Sequence, residues 1–93
     1  MHTIDNRDYI VAEIVRDAAA MNDAALADDF DESRFRAQLI VGKGEAAGLV
    51  DVVLAAAHLL TILGPVGSTP GDRYGSGMLR IADALDKVGF ERI

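Results

Sequence analysis

From Ala46 to Leu63 the chain reads AAGLVDVVLAAAHLLTIL, a run whose polar side chains are Asp51, His58 and Thr61. At about 100° per residue, Leu49, Val52, Val53, Ala56, Leu59, Leu60 and Leu63 share one broad helical face. Gly48, Asp51, Ala55, His58 and Ile62 fall on a narrow opposite stripe. A helix apolar around so much of its circumference has to be enclosed by other helices, a second subunit or lipid. The pattern predicts a central apolar helix over about 45–63, with small residues on its stripe that let a neighbouring backbone approach. Leu60→Asp is then expected to unfold or disperse the protein.

Ile4, Val11, Ile14, Ala18, Met21 and Ala25 recur at helical-seam spacing and predict an amphipathic helix from about Asp5 to Met21, with Asn22 as its stop. The stretch Asn22 to Asp31 either extends that helix through AALA or forms a separate turn. Asp29 with Glu32 three residues on has the form of a capping box, so a new helix is expected near Phe30. Residues 33–41 fit either period, and the helical reading is preferred because one isolated strand has no partner within the chain. Gly42, Lys43 and Gly44 read as a break before the apolar helix. After it, GPVGSTPGDRYGSG over 64–77 reads as a long loop, either functional or mobile. A final helix is expected from Met78 to about Val88, ended by Gly89 and capped at its start by Ser76.

These elements give an all-α fold: residues 1–93 as a single helical domain, a small bundle of three to four helices around the apolar one and open to dimerisation. Lipid is an unsuitable enclosure, because Asp51 and His58 lie within the run and its flanks carry neither a basic cluster nor an aromatic belt. No secretory signal is expected from the charged start MHTIDNRDYI, and the absence of cysteine suits a cytoplasmic protein.

Charge is the feature that bears on function. Residues 1–33 have a net charge of −7 and residues 34–93 of +1, within a total of −6. The density peaks at Asp23, Asp28, Asp29, Asp31 and Glu32, a stretch with no Lys or Arg among them. Such a cluster repels nucleic acid and attracts basic surfaces over about one Debye length, roughly 8 Å at physiological salt. Its bland counterpart is a solvated turn.

Candidate chemistry is thin. Asp29, Asp31 and Ser33 imitate the start of a calcium loop, but Arg34 and Ile40 stand where Gly and Glu are needed. Gly75 and Gly77 begin a dinucleotide fingerprint that lacks its third glycine and its preceding strand. A helix start at Ser76, Gly77 and Met78, with Arg73 and Arg80, offers a nonspecific anion site. Asp51 and His58 share a helix side but lie roughly 10 Å apart along the axis, too far for a direct pair, and His58 reads as a satisfied buried histidine. No catalytic residue, cofactor site or metal site is therefore assigned, and the protein is not expected to be an enzyme.

What remains is a small acidic protein-interaction module. Its expected partner is another protein with a basic or nucleic-acid-binding surface, which it would cover as an inhibitor of the antitoxin, immunity or phage anti-defence type. Asp23, Asp28, Asp29, Asp31 and Glu32 are the expected partner-binding residues. A homodimer is expected, with no direct contact to nucleic acid or membrane. The alternative is a structural or assembly subunit that oligomerises through its apolar helix. On the first reading, Asp29→Asn with Asp31→Asn leaves folding nearly intact and weakens partner binding.

Overall fold

A computed structural model describes residues 6–91, and the side chains of 7–88. Four helices run α1 (Asn6–Leu26), α2 (Phe30–Ala47), α3 (Val50–Leu63) and α4 (Tyr74–Glu91), with no strand among the described residues. Each helix packs on the next in order, and α1 and α4 meet more thinly, so the four form an up-and-down bundle of 49 × 20 × 18 Å. Residues 33–41 lie within α2 and are helical. The seam read on α1 faces inward at Ile14, Met21 and Ala25, with Val11 and Ala18 half-buried, whereas Ile4 lies outside the described residues.

The apolar run is not one helix. Gly48 adopts a left-handed conformation, φ 71°, and ends α2 inside the run. The Leu49 amide donates to the Gly44 carbonyl at 2.9 Å and the Gly48 amide to that of Glu45 at 3.2 Å, the Schellman closure that a glycine permits and a buried following Leu completes. Ala46 and Ala47 therefore belong to α2, and the central apolar helix expected over about 45–63 is α3 alone.

Gly42, Lys43 and Gly44 do not break the chain. They lie inside α2, where Gly44 is buried against α3, because packing outweighs the modest helical penalty of two glycines. Likewise Asn22 stops nothing, and α1 continues through the alanines to Leu26. At the other end, α4 begins at Tyr74 and runs past Gly89. Ser76 is thus inside its first turn, where the hydroxyl donates to the Arg73 carbonyl at 3.0 Å instead of capping.

On α3 and its N-cap residue, the broad-face side chains of Leu49, Val52, Ala56, Leu59 and Leu63 are buried, while Val53 and Leu60 are half-buried. Ala55 from the opposite stripe is also buried. These residues join Ile14, Met21, Ile40 and Ile81 in one core, each large side chain contributing about 1.5–3 kcal/mol on burial. A single chain thus covers the leucine side of α3. Leu59, with none of its surface exposed, is the position where an introduced charge would do the damage expected at Leu60. No helix is long and apolar enough to cross a membrane among the described residues.

Candidate interaction site

The acidic residues gather at the α1–α2 turn, Ala27 to Asp29, at one pole of the bundle. This turn closes as the α2–α3 junction does: the Asp28 amide donates to the Ala25 carbonyl at 3.0 Å and the Asp29 amide to that of Ala24 at 2.8 Å. The residue in the left-handed conformation is here Asp28, at φ 60°, where the second junction uses Gly48. A side chain in that region costs about 1–2 kcal/mol. The Asp28 carboxylate is exposed and makes no ion pair or side-chain hydrogen bond among the described residues.

Asp29 is the N-cap of α2, its Oδ1 accepting from the Glu32 amide at 3.2 Å. Half of the expected capping box therefore forms. Glu32 does not reach back, and its Oε2 instead accepts from Arg36 Nε at 2.8 Å. Asp31 Oδ1 accepts from the Gly67 amide at 2.9 Å and from Arg34 Nη1 at 2.5 Å. The Gly67 amide foremost, and then Arg34, hold the Asp31 carboxyl below its ordinary value. Asp23 stands more than a turn back on α1, exposed and without an ion pair among the described residues.

Arg34 is the residue that sequence reasoning missed. Its guanidinium is buried and donates from Nε to the Gly64 carbonyl at 2.9 Å. From Nη2 it reaches the Leu63 carbonyl at 2.6 Å, the Ser68 carbonyl at 2.7 Å and Ser68 Oγ at 3.0 Å. One side chain thereby satisfies the end of α3 and ties down the start of the loop 64–73, so this stretch is pinned from α2. The available signal was the three-residue spacing of Asp31 and Arg34 on a helix.

The five acidic residues thus divide by role. Asp29 and Asp31 hold the turn and the loop, Glu32 is paired in part, and Asp23 and Asp28 serve no structural contact among the described residues. Asp29→Asn keeps the cap, because asparagine caps a helix as well as aspartate does, so any folding cost of Asp29→Asn with Asp31→Asn falls on Asp31, whose charge faces the Gly67 amide and Arg34.

Below this site a second set of charges joins α1 to α2. Asp17 is buried between Arg36 Nη1 at 3.0 Å and Lys43 Nζ at 2.7 Å, and Lys43 also reaches Glu13 at 3.1 Å. Asp17 chiefly, then Glu13, raise the Lys43 pKa above its ordinary value. Ser33 Oγ donates to the Met21 carbonyl at 2.9 Å on the same seam. Together these interactions fix the α1–α2 hairpin that presents the turn.

Other candidates from the sequence are dispersed. His58 is exposed on α3 and not buried as expected, because it lies on the side away from the core. Asp51, at the opposite pole from the loop 64–73, lines clefts with Arg7, Arg80, Asp83 and Lys87. The anion site expected at Ser76 to Met78 is displaced into α4, and Gly77 there is buried against Leu59. Among the described residues no group of three His, Asp or Glu side chains is arranged to hold a metal ion. No known protein family, curated protein or solved structure matches this chain.

Proposed function

We propose that the protein is an interaction module whose acidic α1–α2 turn docks on a basic surface of another protein, covering it as an inhibitor does. The observation that carries this reading is Asp28. At a left-handed position favoured by glycine, the chain holds an exposed carboxylate that the fold does not use. Around it, Asp29, Asp31 and Glu32 are held by a cap, a loop tie and a helical ion pair. A fixed array of carboxylates orders fewer side chains on binding than a flexible one, and its field steers encounter with a cationic surface.

The test separates stability from binding at one residue. Asp28→Gly removes the carboxylate and relieves the left-handed strain, so it should stabilise the fold by about 0.5–1 kcal/mol. The same change, or Asp28→Asn with Glu32→Gln, should weaken binding to a partner recovered from the source cell, and wild-type binding should weaken as salt rises. Unchanged, salt-indifferent binding would reduce the turn to solvated surface.

A further inference from the structure

The thin contact between α1 and α4 leaves an apolar groove of about 310 Å³ along one side of the bundle, lined by Ala25, Leu26, Tyr74, Met78, Leu79 and Ala82 among others. Leu26 is 85% exposed and Leu79 66% exposed at its edges. Beside the core seam, α1 carries a second stripe one residue out of step: Ala12, Val15, Ala19, Asn22 and Leu26, all exposed and recurring at three and four. That is the spacing of a helix seam with nothing on it. Arg16 and Asp23, seven residues apart on one flank of this stripe, form no ion pair among the described residues.

We infer that this stripe and groove receive a second copy of the chain, with the two α1 helices antiparallel about a two-fold axis. The charges identify the occupant. In an antiparallel pairing, residues on the same flank of the seam face each other, so Arg16 meets Asp23 of the partner subunit, and symmetry makes that pair twice. The register that does this sets Val15 near Leu26 of the partner subunit, at the edge of the groove. Ala19 lies near the axis, where a small side chain lets two helices approach closely. Asn22 supplies the single polar seam position that fixes register at some cost in stability. The interface leaves the leucine side of α3 in the core of its own chain and ends at Leu26, just before the Asp28 turn.

Light scattering of the full chain alone, over a series of concentrations, tests this. The expected mass is twice the 9.9 kDa of one chain, falling toward that value on dilution. Leu26→Lys alters a side chain outside the core, so helical content should persist while the dimer dissociation constant rises at least about tenfold. Arg16→Glu and Asp23→Arg should each raise it several-fold, and the two together should restore it. A wild-type chain that stays monomeric throughout overturns the inference. So does a Leu26→Lys variant that stays dimeric, or a double charge reversal no tighter than its parents. Dissociation by Leu54→Lys with Leu26→Lys unaffected would move the interface to the exposed side of α3 and overturn it as well. Because no partner protein enters this experiment, its failure leaves the reading of the Asp28 turn intact.

Discussion

Arg34 Nη2 lies 2.6 Å from the carbonyl oxygen of Leu63, so a guanidinium from the first turns of α2 caps the last turn of α3. A helix leaves its final carbonyls without internal partners, and a cation there also complements the helix dipole. Here the donor comes from 29 residues upstream, which couples the α3–α4 connection to the α1–α2 turn.

Arg34→Met should therefore destabilise the protein by about 3 kcal/mol, since it strands the carbonyls of Leu63, Gly64 and Ser68 together. Arg34→Lys should recover only a small part of this, because an ammonium cannot span acceptors that a planar fork meets at once. Urea unfolding gives the stability change, and hydrogen exchange should locate the loss of protection in residues 64–69. Equal stability of Lys and Arg at this position would show that charge alone matters.

Acid should release the same loop. Asp31 has a folded pKa below its ordinary value of 3.8, chiefly through the Gly67 amide, so the folded chain resists protonation more than the unfolded chain. The stability it contributes is complete above the ordinary value and is lost as pH falls through the depressed one. In thermal melts, wild type should exceed Asp31→Asn by a constant margin near neutrality. The margin should close only below about pH 4. A margin already shrinking between neutrality and mildly acid pH would assign the effect to another group.

Local rules made much of the fold legible. The Asp29 signal placed the start of α2, and the spacing from Val11 to Ala25 gave the buried side of α1. What could not be read depends on residues distant in sequence. Asp17 looks like any solvated carboxylate until Arg36 and Lys43 close over it from α2. Gly48 is a local exception: it follows two alanines, and apolar character alone does not distinguish a helix end from a small residue on a stripe. At the candidate site, the acidic density was plain, but its division into structural and unused carboxylates required the positions of Gly67 and Arg34.

Gly42 and Gly44 show the same limit most sharply, and their alanine variants should differ in sign. Both are helical and two residues apart in α2. A methyl group at Gly42 meets nothing within 4 Å, so Gly42→Ala should gain the helical preference of alanine, about 1 kcal/mol. At Gly44 the same methyl would stand 2.9 Å from Val53 Cγ2, on a β-branched side chain with little rotameric freedom. Overpacking of that kind costs about 1–3 kcal/mol and should cancel or exceed the gain. Gly77 is the matching approach on the other side of α3, where an added methyl would stand 3.0 Å from Leu59 Cδ1. Gly77→Ala should fall between the two, because a leucine terminus yields more readily. Urea midpoints for the three variants should rank Gly42→Ala above Gly77→Ala above Gly44→Ala. An equal rise in all three would mean that α3 is not closely approached by its neighbours, and that the helices stand further apart than the glycine contacts require.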